Sequence, residues 1–406
     1  MFAGTILYAS YISPFPPHSG ERIRALNLIA GFRALGFKIE AIVGNHENVD
    51  MAAQNREDVR FRPIPFAWPR LRQSASVYFR KHGKFVEQVK ALHRAEPFSA
   101  IVLDYGFMGA QIAALRELDV PIILGTHNLE SALTAQVKKD SLSARAAIHL
   151  RHGLELMHER LFFGSADAVL CVSEEDRRAY ARFLDAGRLH MVPNFVDIPD
   201  VYRDRACENR IIMTGSFGNF QNVEGLRWFV RHVWDESLNA RTALCVAGKL
   251  SDRAVAEFSD VPGITGLGAR DDLLSEMGGS RCAIVPLWQG GGTRLKCVEA
   301  MATRTPVVST SKGCEGIVHG GTFHVADTAR AFRAAVHDVL DNPAKAAQDS
   351  AVARVIFETE YSLSANAARL ARALDGARDV HAARRNQRLR RGATLQPAAG
   401  QGAERN

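Results

Sequence analysis

The sequence of 406 residues lacks several features that mark particular classes of protein. No uncharged apolar run approaches the ~18–20 residues that a membrane-spanning helix needs. The N-terminus has no basic start followed by an apolar core and a small-residue cleavage site, so we expect no secretory signal. The six cysteines include no C-x-x-C pair, and metal-ligand spacing is absent. These absences favour a reducing, cytoplasmic compartment and predict no metal site.

Most of the net positive charge of the chain lies at its C-terminal end. The net charge is +7, and residues 376–406 carry seven arginines against two acids, which leaves only +2 for the rest. The body is therefore not a polycation, which argues against nucleic-acid binding. The same terminal stretch has few core residues, and we expect it to be disordered.

The most informative stretch is residues 281–310, RCAIVPLWQGGGTRLKCVEAMATRTPVVST. Its pattern predicts a buried strand, a glycine-rich loop, a helix and a second strand of a parallel sheet. Gly290, Gly291 and Gly292 stand where the strand meets the helix N-terminus. Glycine lets the backbone turn tightly there and lets an anion approach the free N–H groups.

The first turn of this predicted helix carries unusual charges. Thr293 is expected to be the N-cap. Arg294 and Lys296 follow it, although the helix dipole favours acids at this end, so an anion between them would explain their presence. Glu299 is either a salt-bridge partner or, beside a nucleotide, an acceptor for ribose hydroxyls. From the residues alone, phosphate binding and a plain surface turn both remain open.

Similar α/β units occur along the whole chain. A first strand at 5–9 is followed by a helix that opens at Gly20, and a strand at 121–124 ends in the sequence GTHNLES. His127 therefore stands at the carboxyl end of a parallel strand, where open α/β sheets bind ligands. The second half restarts with a strand at 211–214 and a loop that begins at Gly215.

Two helical regions raise the question of which side faces solvent. In the region 129–163, a stripe is expected to pack in the core: Leu150, Leu154, Met157 and Leu161. The region 75–94 and its surroundings are rich in basic and aromatic residues. They form either a solvated face or a surface for an anionic membrane or a lipid-diphosphate acceptor.

The stretch VPLWQGGGTRLKCVEAMATRTPVVST resembles the C-terminal signature of glycosyltransferase family 4, in its bacterial exopolysaccharide branch. HNLES and LHMVPNFVD resemble further segments of the same family. The resemblance implies an α/β protein with two Rossmann-like domains facing across a cleft, the GT-B arrangement. The implied parts are an acceptor-side domain at 1–198, a nucleotide-sugar-binding domain at 199–360, a crossover helix at 361–375 that returns to the first domain, and a disordered basic tail at 376–406.

The resemblance also implies roles for individual residues. The catalytic residues would be His127, Arg294 and Lys296. The donor-binding residues would be Gly20, Gly215, Gly290, Gly291, Gly292, Thr293 and Glu299. No metal or other cofactor is implied, and the donor substrate would be a UDP- or GDP-linked sugar.

The implied activity is hexosyl transfer with retention, class EC 2.4, to a glycan or lipid-diphosphate-linked acceptor in exopolysaccharide or other surface polysaccharide synthesis. The implied place is the cytoplasm, with peripheral contact at the inner face of the membrane left open. The chain departs from the family pattern twice. Ser216 and Asn222 replace an arginine and a lysine, and Gly291 replaces the first of two paired glutamates. These departures leave open a sugar-nucleotide 2-epimerase and a non-catalytic nucleotide-sugar-binding scaffold.

Overall fold

A computed structural model describes residues 3–17, 19–45, 48–64, 79, 82–127, 130–135, 142–202, 207–290 and 294–394. Within these ranges the chain forms two parallel β-sheets with helices on both faces. Four buried apolar clusters fill the space between sheets and helices, two for each sheet. The predicted fold class of two Rossmann-like domains is confirmed.

The first sheet has seven strands: β1 (Thr5–Ser10), β2 (Lys38–Val43), β3 (Val59–Pro63), β4 (Phe98–Asp104), β5 (Ile122–Gly125), β6 (Ala168–Cys171) and β7 (Leu189–Met191). Their order is β3-β2-β1-β4-β5-β6-β7, with every neighbouring pair parallel. The central strands are continuous buried runs, as expected for a parallel sheet that is covered on both faces.

The second sheet has six strands: β8 (Glu208–Thr214), β9 (Ala243–Ala247), β10 (Ile264–Gly268), β11 (Ser280–Val285), β12 (Val307–Ser309) and β13 (His324–Val325). Their order is β10-β9-β8-β11-β12-β13, again with parallel pairs. The chain order switches direction between β8 and β11, and ligands of such sheets bind at the carboxyl ends of the strands beside that point.

The described helices of the first half are α1 (Gly20–Ala34), α2 (Gly83–Ala95), α3 (Ile112–Leu115), α4 (Glu130–Ala135), α5 (Leu142–Phe162) and α6 (Glu174–Tyr180). The second half adds α7 (Phe220–His232), α8 (Glu236–Asn239), α9 (Ser251–Val255), α10 (Leu273–Gly278), α11 (Leu295–Ala302), α12 (Ala329–Asp341), α13 (Pro343–Glu360) and α14 (Leu363–Thr394). None of the helices in the described ranges combines the length and the apolar character needed to cross a bilayer.

The last helix, α14, returns to the first domain, as the sequence predicted. Its buried side joins the apolar cluster beneath the first sheet. The predicted disorder from residue 376 is wrong as far as residue 394, because α14 continues to Thr394. Two arginines of this basic segment find acids of the first domain: Arg384 lies 3.2 Å from Asp167 and Arg385 lies 3.2 Å from Asp119. Residues 395–406 lie outside the described residues.

The predicted core stripe of α5 is wrong for three of its four members. Leu150, Met157 and Leu161 are 66%, 45% and 57% exposed, and Leu154 is partly buried. The buried residues of this helix are instead polar: Glu155, His158 and Glu159. Helical spacing groups residues on one face, but it does not say which face turns inward.

The basic region 75–94 contains the start of α2, at Gly83, whereas residues 65–78 and 80–81 lie outside the described residues. α2 buries one apolar side in the first domain, through Phe85, Val86 and Val89. The described part of this region is therefore an ordinary amphipathic helix with a solvated basic face.

The two sheets are joined at two neighbouring points. The chain leaves the first sheet after β7 and enters the second at β8, and it returns between α13 and α14. The backbone N–H of Val196 donates to the carbonyl of Tyr361 at 3.0 Å, so the two connections are hydrogen-bonded to each other. Arg354, which is 5% exposed, donates to the carbonyls of Ala302 and Ile198 at 2.7 and 3.1 Å.

Candidate functional site

The glycine-rich loop lies at the carboxyl end of β11, beside the switch point of the second sheet. Gly290 has a φ of +117°, a conformation that glycine adopts without strain. Three predicted donor-binding residues lie outside the described part of the chain: Gly291, Gly292 and Thr293. The helix begins at Leu295 with Arg294 as its N-cap, so the prediction that Thr293 caps it is wrong by one residue.

Helix α11 is apolar on nearly all sides, since six of its eight residues are buried. The other two, Lys296 and Glu299, stand three positions apart and therefore share a face. A helix of this composition belongs in the interior. Lys296 and Glu299 are both only partly exposed, and Lys296 reaches the loop that follows β8.

Lys296 is the central charge of this region. Its Nζ donates to the backbone carbonyl of Thr214 at 2.7 Å and to Oδ1 of Asn222 at 2.8 Å. Both acceptors are neutral. Burial, assisted by the charge of Arg294, lowers the pKa of Lys296 to about 8. An anionic ligand would satisfy a buried cation of this kind better than these oxygens do.

Asn222 stands where the family resemblance places a lysine. In this chain a lysine comes to the same place from α11, because Nζ of Lys296 reaches the Asn222 side chain across 74 positions of sequence. The carbonyl of Ser216, the other departure, accepts from Nδ2 of Asn222 at 2.8 Å. The positive charge that the loop after β8 lacks is therefore supplied by a different element.

Gly215 sets how closely these groups approach the strand end. Its φ is +152°. A Cβ at this position would lie 2.8 Å from Nδ2 of Asn222 and 3.1 Å from Nζ of Lys296. Both distances are shorter than ordinary van der Waals contact. The predicted residues Gly215 and Lys296 thus lie side by side, and their arrangement requires glycine.

Arg294 folds back over the glycine loop. A Cβ on Gly290 would lie 2.8 Å from its Nη1, and its Nε and Nη2 each lie 3.4 Å from the carbonyl oxygen of Lys312, after β12. Burial lowers the pKa of Arg294, and Glu315 opposes this shift. A guanidinium remains charged at neutral pH because its ordinary pKa is so high. Gly290 therefore lies directly against a cation.

Glu299 is the acid of this region. Burial raises its pKa above the ordinary value, and the charge of Lys296 opposes the rise. Within the described residues, no group of three or more His, Cys, Asp or Glu side chains is arranged to hold a metal ion.

The first domain contacts this region through the start of α1. A Cβ on Gly20 would lie 3.4 Å from Cδ1 of Leu295, which places the glycine directly against the start of α11. A second approach joins the loop after β12 to the first domain, where a Cβ on Gly316 would lie 3.6 Å from Cβ of Ser173. The cations on either side of Leu295 thus lie at the junction of the two domains.

His127 lies two residues beyond β5, at the carboxyl edge of the first sheet. Its Nε2 is 3.0 Å from Oδ2 of Asp104, and its ring lies 4.6 Å from that of Tyr105 between centroids. Burial alone would raise the pKa of Asp104, but His127 and the nearby cation Arg24 lower it below its ordinary value. An ionised carboxylate can only accept, so Nε2 carries the proton of this hydrogen bond.

The sequence did not predict the network behind His127. Tyr8, in β1, donates to the same Oδ2 of Asp104 at 2.6 Å. Arg24, in α1, is 2% exposed and donates to Oδ1 of Asn194 at 2.9 Å. One signal was present, since Asp104 ends β4 as an acid at a strand terminus, the same rule that selected His127.

A cavity adjoins His127 on the side of α5. Its lining combines aromatic rings and acids: Tyr105, Phe107, Phe163, Glu130, Glu155 and Glu159. Burial raises the pKa of Glu159 to about 7, although hydrogen bonds from Ser131 oppose the rise. Oγ of Ser131 donates to this carboxylate at 2.6 Å. The cavity has a volume of about 10 Å³, which is room for a single water molecule.

The described candidate residues fall into two groups. Six lie together at the start of α11 and its surroundings: Gly20, Gly215, Gly290, Arg294, Lys296 and Glu299. His127 belongs to the first domain, and the hydrogen bond and the ring contact described for it are made there. The roles assigned to all of these residues remain predictions.

Two family models match the chain. The model for a glycosyl transferase 4-like domain matches residues 19–194, and the model for group 1 glycosyl transferases matches residues 208–342. A comparison with curated protein sequences returned no match.

Three bacterial proteins serve as examples of solved structures with a similar fold. Sucrose-phosphate synthase from Thermosynechococcus elongatus has a TM-score of 0.71 at 19% identity, over 94% of this chain and 100% of that one. A UDP-forming α,α-trehalose-phosphate synthase from Burkholderia vietnamiensis has a TM-score of 0.67 at 14% identity, over 94% and 98%. Anabaena HepE in complex with UDP-glucose has a TM-score of 0.63 at 13% identity, over 92% and 99%.

The two matched segments cover both sheets in the order expected of a two-domain sugar transferase, and the solved structures share the whole architecture. The chain therefore belongs to the group 1, family 4-type glycosyltransferases and has the GT-B fold.

Proposed function

We propose that this glycosyltransferase moves a hexose from a nucleotide-sugar donor to a glycan or lipid-linked acceptor, with retention at the anomeric carbon, in surface polysaccharide synthesis. One observation carries the proposal. Lys296 is only partly exposed, its two hydrogen-bond acceptors are neutral, and it shares the start of α11 with Arg294, which lies against Gly290. This arrangement fits the diphosphate of an activated sugar.

In the chemical step, these cations stabilise the leaving group. The bond between the anomeric carbon and a diphosphate oxygen breaks, the acceptor oxygen bonds to the same face of that carbon, and the acceptor's proton leaves with the nucleoside diphosphate. Negative charge develops on the departing diphosphate, and preorganised donors aimed at that position lower the barrier most. Arg294 and Lys296 supply this charge in the proposal, so no metal ion is required.

The remaining residues hold the substrates. Glu299 accepts from the ribose hydroxyls, and Gly20 lets the first domain approach the donor closely. His127, held through Nε2 by Asp104, orients the transferred sugar or the acceptor with its other ring nitrogen, Nδ1.

UDP-sugars are the first donors to test, because HepE, which shares the fold, has been solved with UDP and with UDP-glucose. GDP-sugars are the second choice. We place the reaction in the cytoplasm, since five of the six cysteines are free and buried, as in proteins of a reducing compartment.

Thermal-shift measurements with UDP-, GDP-, ADP- and dTDP-sugars test the proposal. A ligand that binds only the native state raises its melting temperature. We expect one class of donor to do so, and Lys296→Met to weaken its binding by about 100-fold, because a buried charged partner of the diphosphate is lost. Lys345→Met, a surface lysine that pairs with Asp349 on α13, is the matched control and should bind as the wild type does.

Measurements of nucleoside diphosphate release distinguish a transferase from a 2-epimerase and from a non-catalytic scaffold. A transferase releases nucleoside diphosphate only when an acceptor is present, whereas a 2-epimerase releases it from the donor alone. A protein that binds the donor but shows no turnover with any acceptor fraction would support the scaffold. The proposal fails if no nucleotide sugar binds, or if Lys296→Met binds the donor unchanged.

A further inference from the structure

The outer face of α5 is apolar, although it faces solvent. Leu150, Met157 and Leu161 are 66%, 45% and 57% exposed. Ala146 and Gly153 are exposed as well. The five residues follow one another at spacings of four, three, four and four, which places them in one line along the helix. That line is about 22 Å long at 1.5 Å per residue.

The polarity of α5 is reversed relative to an ordinary surface helix. Its acids point inward: Glu155 and Glu159 are 1% and 3% exposed and line the cavity beside His127. A surface helix normally buries its apolar side and exposes its charges. An exposed apolar patch on a soluble domain marks a place where something binds.

The charges that flank this apolar line are positive. Arg145, His149 and Arg160 are exposed on the same helix, and both acids in its described part are buried. More arginines gather just beyond its C-terminal end, where Arg384 of α14 donates to the carbonyl of Ser165 at 2.9 Å and Arg188 donates to that of Gly164 at 2.9 Å. The apolar line is therefore bordered by basic side chains.

Two occupants could cover such a face, and the charges distinguish them. A second copy that packed its own α5 here would bring Arg145 and Arg160 of both chains together, and like charges across an interface oppose association. A bilayer with anionic headgroups accepts both features, because apolar side chains enter the interface while arginines contact the phosphates.

We propose that α5 docks this protein on an anionic membrane surface, with Leu150, Met157 and Leu161 inserted and the flanking arginines on the headgroups. This membrane contact extends the proposed function and depends on it, because it serves to bring the enzyme to a lipid-linked acceptor. The opposite side of the same helix lines the cavity next to His127, so docking holds the acceptor side of the site close to the bilayer. A lipid-linked acceptor then reaches the His127 side of the site without leaving the membrane.

Co-sedimentation of the full chain with phosphatidylcholine vesicles, with and without phosphatidylglycerol, tests the proposal. We expect binding to the anionic vesicles, weaker binding to the neutral ones, and a loss of affinity as salt rises. The triple variant Leu150→Ser, Met157→Ser, Leu161→Ser should bind at least about tenfold more weakly. The charge variant Arg145→Glu, Arg160→Glu should lose the preference for anionic vesicles.

The matched control is Val352→Ser, Val355→Ser on α13, where the two valines are 47% and 59% exposed in the other half of the protein. It should bind vesicles as the wild type does. Each variant is also melted with and without the nucleotide sugar. Unchanged melting and donor binding show that the fold and the donor site are intact, so failure to dock is distinguishable from failure of the proposed function.

Three results would overturn the proposal. The wild type could ignore anionic vesicles, or the triple serine variant could bind them as the wild type does. Thirdly, the wild type could be a dimer that the triple variant converts to a monomer, with no vesicle binding by either form. The last result would assign α5 to contact between copies of the chain.

Discussion

The protonation of Lys296 makes both the stability of the protein and donor binding depend on pH. It is held by two neutral oxygens and has a pKa of about 8, below the ordinary value of 10.5. Between these two pH values the unfolded chain binds more protons than the folded one, so the unliganded protein gains stability as pH rises through this window. A bound diphosphate has the opposite preference, because it favours the charged lysine.

We therefore expect the affinity for the nucleotide-sugar donor to weaken by about tenfold between about pH 7 and pH 9, since binding then requires uptake of one proton. Titration calorimetry across this range measures it. Lys296→Met should bind weakly at every pH, without the slope. An affinity of the wild type that stays constant across the range would contradict the assignment of Lys296 to the diphosphate.

At the residue scale, the sequence revealed cations and glycines but not their partners. The position of Arg294 and Lys296 beside a glycine loop followed from local pattern. The contact between Lys296 and Asn222 joins residues 74 positions apart, and the Tyr8–Asp104 bond joins residues 96 apart. Such pairs depend on strand order, which a single sequence does not specify, so the network behind His127 could not be predicted.

Helices show the same limit at the scale of elements. The spacing of Leu150, Met157 and Leu161 correctly predicted a helix with one apolar face, but that face turns outward. The scarcity of core residues after residue 376 predicted disorder, yet α14 continues to Thr394, and its Arg384 and Arg385 form ion pairs with acids of the first domain. The strands predicted at 5–9, 121–124 and 211–214 match β1, β5 and β8 to within a few residues, since buried parallel strands are continuous apolar runs.

The loop after β8 gives a prediction at this scale. Gly215→Ala should lower donor affinity by at least about tenfold, because its methyl group would displace Lys296 and Asn222. It should also cost about 1–2 kcal/mol in the free energy of unfolding, since φ at this position is +152°. Calorimetry and urea unfolding measure the two effects.

The control comes from the same loop. A Cβ on Gly218 would lie 3.6 Å from Leu250, an ordinary contact. Gly218→Ala should therefore change stability by less than about 0.5 kcal/mol and leave donor affinity unaltered. Equal effects of the two substitutions would show that the close approach at Gly215 is unimportant.

At the scale of the whole molecule, the C-terminal helix α14 completes the hydrophobic core of the first domain. Leu370, Ala373, Leu374 and Ala377 of α14 are buried with residues of β1 and α1. Further along, His381 and Arg384 lie 3.3 Å from Asp119 and 3.2 Å from Asp167. The first domain is therefore completed only when the last helix has been added.

Deletion of residues 376–406 should lower the free energy of unfolding by about 2–4 kcal/mol, because it exposes apolar surface and removes Arg384 from the buried carboxylate of Asp167. Deletion of residues 395–406 removes none of these contacts and serves as the control. Chemical unfolding of both chains checks this. Equal stability of the two truncated proteins would mean that the segment 376–394 adds nothing to the fold.

The hydrogen bond between Val196 and Tyr361 has a mechanical consequence. Because both interdomain connections pass side by side, the two lobes can rotate about a single axis through that pair without stretching either connection. Such a rotation would change the spacing between Gly20 and Leu295, where the two lobes now meet. A donor that contacts both lobes at this point would therefore favour one angle of the rotation over the others.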